Sequence, residues 1–137
     1  MALRANARIS FRDLAAKANL SPNATAERVR RLERTGILRG YTAIVDEAAA
    51  GRSLSALIDV RLKPGTPPER FEPIVRKLDV VVDCAHVSGA FDYALRVTVA
   101  DAAELDKLIR LLKAKADVVE TETRLVMRTV VRRATAE

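Results

Sequence analysis

Apolar positions recur along this chain at two spacings, and the switches between them mark its elements. Phe11, Leu14, Ala15 and Ala18 fall at helical spacing. Ser10 stands ahead of them as a cap for the free N–H groups, and Asp13 can answer it from the third helical position. Asn19 tolerates a positive φ and predicts a stop. Leu20-Ser21-Pro22 opens the next helix at once, with Ser21 as its cap and Pro22 in its first turn. Thr25, Val29 and Leu32 follow as a buried stripe, and Gly36 ends the helix. Two helices joined by a tight turn make the helix-turn-helix pattern. Residues 37–45 read as a turn into a short strand, and residues 46–53, with Ala48-Ala49-Ala50-Gly51, read as a link.

Beyond the link the period switches from two to 3.6 and back, twice. Residues 54–63 alternate, with Ala56, Ile58, Val60 and Leu62 on one face against Asp59 and Arg61. After the loop Pro64-Gly65-Thr66-Pro67-Pro68, the positions Phe71, Ile74, Val75 and Leu78 predict a helix covering a sheet; Pro73 should kink it or displace its start. Residues 80–88 are strand-like, Gly89-Ala90 make a turn, and residues 92–99 return. Asp101 and Glu104 form a capping box for a helix with Leu105, Leu108, Ile109 and Leu112 inward, and residues 118–131 read as the last strand. The order βαββαβ is that of a ferredoxin-like split unit. The expected class is α+β, in three parts: a helix-turn-helix over residues 1–45, a linker over 46–53, and a ferredoxin-like βαββαβ domain over 54–137.

Two helices alone do not bury the stripes of a helix-turn-helix; a preceding helix roofs them. Only Leu3-Arg4-Ala5-Asn6 stands there as the tail of such a helix, so the motif reads as truncated at its first helix, or as roofed by a neighbouring chain.

Charge sharpens this division. Residues 1–45 hold nine Arg/Lys against three acids, whereas residues 46–137 hold fifteen of each sign. The whole net charge of +6 therefore sits in the first third, which suggests a polyanion as the partner of that part. No stretch approaches the ~20 apolar residues of a membrane helix, so no membrane role is expected. Cys84 is the only cysteine and His86 the only histidine, which excludes an intrachain disulfide and an ordinary four-ligand zinc site. A cytoplasmic protein with no cofactor is expected.

Several segments carry a resemblance: Asn6-Ala7-Arg8-Ile9-Ser10, Leu14-Ala15, Leu20-Ser21-Pro22 and Arg28-Val29-Arg30-Arg31-Leu32-Glu33 in the first part. Gly36-Ile37-Leu38-Arg39-Gly40-Tyr41-Thr42-Ala43 and Ser88-Gly89-Ala90-Phe91-Asp92-Tyr93 continue it in order and spacing. The chain resembles the Lrp/AsnC (feast/famine) regulators, apart from the absent opening helix. That resemblance implies a winged or plain helix-turn-helix head on an effector domain. It also implies pairing of effector domains into dimers, often tetramers or octamers, and an amino acid or related metabolite bound between them that shifts assembly and DNA affinity.

The second helix is then expected in the major groove of double-stranded DNA, presenting Ser21, Asn23, Ala24, Glu27, Arg28 and Arg31. Asn suits adenine, and Arg suits guanine or phosphate. Arg12, Lys17, Arg39 and Tyr41 read as phosphate contacts. The plainer alternative is a solvated face in which Glu27 and Glu33 pair with these arginines. In Ser88-Gly89-Ala90-Phe91-Asp92 the backbone amides can receive a carboxylate while Asp92 accepts from an ammonium group; the alternative is a simple turn in which Gly89 supplies positive φ. By the resemblance, Thr121 and Thr123 face the same effector pocket.

The expected function is a DNA-binding transcriptional regulator responsive to an amino acid, and not an enzyme. Three rivals are weighed against it. A siroheme-decarboxylase-like enzyme of this fold would need His and Arg for a tetrapyrrole, and His86 alone is thin support. An RNA-recognition module would need exposed stacking aromatics on its strands, where Tyr93 is solitary. A sensor that no longer binds DNA would follow from the short N-terminus. A Cys84–His86 nucleophilic pair is disfavoured, because strand neighbours seldom reach the required geometry.

Overall fold

The computed structural model describes residues 2–131. The chain forms two compact units, the first running to Ile44 and the second spanning Val45–Val130. The first begins with α1 (Ala2–Ala5), a single turn, followed by α2 (Phe11–Ala18) and α3 (Pro22–Arg34). Ser10 Oγ accepts the Asp13 N–H at 3.1 Å and donates to the Asp13 carboxylate at 2.7 Å. Asn19 takes φ 54°, ψ 47°, and the Leu20 N–H reaches back to the Ala15 carbonyl, so helix end and turn are closed together. Ser21 Oγ then accepts the Ala24 N–H at 3.2 Å and starts α3. Leu14, Ala15, Thr25 and Val29 are the buried residues of this pair. An apolar cavity of about 180 Å³ remains beside them, lined among others by Leu3, Leu14, Leu20, Val29 and Leu32.

The short strand expected within residues 37–45 is absent: the chain there has no regular structure, with Ile37, Tyr41, Ile44 and Val45 exposed. A strand needs a paired backbone, and none of the described residues supplies one. The following turn is tied to the second unit, because Arg52 donates to the Asp79 carbonyl and Ser53 to the Ala100 carbonyl.

The second unit contains β1 (Leu54–Leu62), α4 (Pro68–Val75), β2 (Val81–His86), β3 (Tyr93–Val99), α5 (Ala102–Lys115) and β4 (Val118–Leu125). The sheet is antiparallel in the order β2-β3-β1-β4, the ferredoxin-like arrangement. Ala56, Ile58, Val60, Tyr93, Leu95, Val97 and Val99 meet Phe71 and Val75 of α4 and Leu105, Leu108 and Leu112 of α5 in one core.

Two sequence expectations are corrected. Pro73 lies inside α4 and removes an internal hydrogen bond, and the helix ends at Val75. Leu78, expected on the same helical stripe, instead packs on the core from beyond the helix end. The last strand stops at Leu125 rather than continuing to Val131. Leu125 pairs with Ala56 and the Val126 N–H with the Ser55 carbonyl, close to the start of β1, so the ladder runs out of partners. The expected domain end at residue 137 lies outside the described residues.

Candidate nucleic-acid interface and effector loop

The spacing that buries Thr25 and Val29 sends other α3 positions outward. Asn23, Glu27, Arg31 and Arg34 repeat at intervals of three and four on the side opposite that stripe, with Ala24 between them, and all five are exposed. Arg34 belongs to this row although the sequence reading did not single it out; its spacing from Glu27 and Arg31 is the signal that finds it. Arg28 is exposed but sits on the flank, where it also lines the apolar cavity. The Ser21 hydroxyl is engaged in its cap. Glu27 pairs with Arg30 at 3.4 Å, which leaves Arg28, Arg31 and Arg34 without a carboxylate partner among the described residues. Arg12 and Lys17 on α2, and Arg39 after α3, are exposed. The Tyr41 hydroxyl donates to the Glu33 carboxylate at 2.8 Å, so its hydrogen is already committed within the protein. That bond, some loss of solvent and the nearby Glu33 charge all raise the Tyr41 pKa.

The loop between β2 and β3 is built from its two ends. Val87 N–H donates to the Asp92 carbonyl and Asp92 N–H to the Val60 carbonyl, both at 2.9 Å. The Asp92 carboxylate, half-buried, accepts the Leu62 N–H at 2.7 Å. This carboxylate therefore has a structural partner that the sequence did not show. Gly89 takes φ 115°, and a side-chain carbon placed there would meet nothing within 4 Å. The N–H groups of Ser88, Gly89, Ala90 and Phe91 have no acceptor among the described residues. A cavity of about 250 Å³ lies alongside, lined by Lys63, Thr66, His86, Asp92 and Tyr93 among others, but not by residues 88–91. Thr121 is paired with Val60 and Thr123 with Ile58 on β1, on the far side of that strand from β3. Two strand spacings, roughly 10 Å, therefore separate them from the hairpin within one chain.

Arg61, on β1, is the loop's partner that sequence reasoning missed. Its Nε donates to the Ala90 carbonyl at 2.9 Å, and its guanidinium lies over the Phe91 ring, 5.2 Å from the centroid. An alternating strand shows only that Arg61 is on the polar face, so no local signal reveals these partners.

Cys84 and His86 share the face of Leu95 and Tyr93, toward the helices. The His86 ring stacks on Tyr93 with centroids 4.9 Å apart. Loss of solvent pushes the Cys84 thiol up to about 11, helped by Asp83 and Glu72 and opposed by Arg76. An activated thiolate requires the opposite shift. Tyr93, the aromatic an RNA platform would expose, is buried against Phe71, with ring centroids 4.4 Å apart. No group of metal-ligating side chains occurs among the described residues.

A family model described as Lrp/AsnC ligand binding domain matches residues 55–136, and one described as winged helix-turn-helix DNA-binding matches residues 2–39. The chain belongs to the Lrp/AsnC family. The leucine-responsive regulatory protein of Escherichia coli is 38% identical over 131 residues, covering 93% of this chain and 80% of that protein. A Neisseria meningitidis transcriptional regulator solved with L-methionine has TM-score 0.92 at 25% identity, covering 99% of this chain and 90% of its own. The feast or famine regulatory protein of M. tuberculosis, also solved with L-methionine, has TM-score 0.85 at 34% identity, covering 95% and 88%. Like these Lrp/AsnC relatives, the chain joins a DNA-binding head to a small-molecule-binding domain; it is a transcriptional regulator rather than an enzyme.

Proposed function

We propose that α3 reads operator DNA through Asn23, Ala24, Glu27 and Arg31, flanked by Arg28 and by Ser21 at its leading end. Arg12, Lys17 and Arg39 would meet phosphates, and Tyr41 would brace the segment after α3 through Glu33 while lying beside the backbone. The observation that supports this most is the outward row Asn23–Glu27–Arg31 on a unit carrying the chain's whole positive excess. Base contacts would specify the site, and phosphate contacts would position the helix.

The effector in this reading is a free amino acid. Its carboxylate would meet the N–H groups of Ser88, Gly89, Ala90 and Phe91, and its ammonium group the Asp92 oxygen not used by Leu62. Thr121 and Thr123 stand a strand away in one chain, so they would join the pocket from a neighbouring copy in a homo-oligomer. No helix among the described residues is long and apolar enough to cross a membrane. Action on chromosomal DNA would place the protein in the cytoplasm.

The test is a mobility-shift titration on the DNA upstream of its own gene, at several salt concentrations, with a thermal-shift screen of the twenty amino acids. A specific, salt-sensitive shift and stabilisation by at least one amino acid support the reading. Stabilisation by an amino acid with no specific shift at low salt would leave a sensor that does not bind DNA.

A further inference from the structure

We propose that Arg61 is a positioning residue for the effector loop, fixing Ala90 and Phe91 and linking them to Glu120 on β4. This rests on the reading of residues 88–92 as that loop.

Three groups converge on one guanidinium. Nε donates to the Ala90 carbonyl at 2.9 Å, Nη1 pairs with Glu120 at 3.2 Å, and the Phe91 ring lies 5.2 Å away beneath it. An exposed ion pair by itself contributes little. Here the planar fork serves a carbonyl, a carboxylate and a ring face at once, which a lysine ammonium on its flexible stem does not do. Arg61 and Glu120 are also register partners, so the pair crosses from β1 to β4 at that position.

The backbone supports the same assignment. The β1–β4 register shifts between Arg61 and Leu62, with Val119 as the extra residue on β4 directly before Glu120. The irregularity therefore sits at the strand that carries the carboxylate partner of Arg61. Leu62 turns its N–H to the Asp92 carboxylate, while Arg61 holds Ala90. Consecutive residues of β1 thus grip the middle and the end of the loop. Glu120 immediately precedes Thr121, so a movement of the loop changes the charge contact next to that threonine.

The test uses the full chain and NMR amide exchange at Val87 and Asp92, whose N–H groups close the loop. Arg61→Met is expected to speed exchange there by about tenfold, with Ile58 and Leu95 unchanged. Arg61→Lys, which keeps the charge but loses the Nε bond, should fall between. Glu120→Gln should also speed Val87 and Asp92, although it touches no atom of the loop. Unchanged exchange at Val87 and Asp92 in Arg61→Met, or equal acceleration throughout the sheet, overturns the proposal. An amino-acid titration of the same variants separates this from the effector reading. If the wild type binds no amino acid while exchange responds as expected, Arg61 still positions the loop and the effector reading falls. If the wild type binds and Arg61→Met binds with the same midpoint, the proposed role toward the effector falls and the loop assignment stands.

Discussion

The Leu62 N–H donates to the Asp92 carboxylate at 2.7 Å, joining the last residue of β1 to the residue that ends the β2–β3 loop. A side chain that the sequence offers as a ligand for an ammonium group is thus also part of the frame holding the loop. Both tasks are compatible because a carboxylate carries two oxygens with several acceptor sites.

Removing that acceptor should therefore be felt without any ligand. Asp92→Ala strands a half-buried N–H and is expected to cost about 1–3 kcal/mol in denaturant unfolding. Asp92→Asn keeps an acceptor oxygen and should cost less. Equal stabilities of wild type and Asp92→Ala would show that the bond contributes nothing.

Gly89 separates backbone strain from crowding. Its φ of 115° is rarely adopted by L side chains, while space around a new side-chain carbon is open. Gly89→Ala should cost about 1–3 kcal/mol if the loop keeps its shape; Gly89→Val should abolish the amino-acid response in a thermal-shift titration. A titration identical to wild type would remove the loop from the effector site.

On α3, the outward row makes different predictions for different members. Arg31→Ala or Asn23→Ala should weaken operator binding by about 1–3 kcal/mol for each lost base contact, measured by anisotropy at fixed salt, with the solution mass unchanged from wild type. Arg12→Ala should weaken binding to all sequences alike and lower the salt slope by about one. A smaller solution mass or loss of folding with either α3 substitution would reassign the row to structure.

Tyr93 predicts an alkaline limit. Burial, its hydrogen bond to Glu72 and the Glu72 charge push the phenol from 10.0 up to about 12. An acid whose folded-state pKa is raised stabilises the fold in its neutral form. That stability is complete below pH 10 and is lost as pH rises through about 12. Cys84, raised from 9.0 to about 11, acts in the same sense, so the comparison belongs in a Cys84→Ser background. There Tyr93→Phe should flatten the fall in stability between pH 10 and 12; an equally steep fall in both proteins would locate the alkaline sensitivity elsewhere.

Features that depend on neighbours in the chain are legible in the order of residues. Ser10, Ser21 and Asp101 announced helix starts because a cap bonds a backbone N–H three residues on, and Asn19 announced a stop because its own backbone bends there. Alternation through Ala56, Ile58, Val60 and Leu62 chose the buried face of β1, and the order of periods gave the βαββαβ topology. The outward face of α3 followed from the same geometry.

Features that depend on a distant backbone emerge only once the chain is folded. Residues 37–45 have strand-like composition yet form none, because pairing needs a second chain segment that composition does not reveal. The same reason ends β4 at Leu125, where β1 has nearly run out. Arg61 meeting Ala90, and Asp92 meeting Leu62, bridge about thirty positions of sequence across the β3 side of β1. Spacing rules follow the chain, whereas these contacts follow the sheet, and that is where the physics of the β2–β3 loop resides.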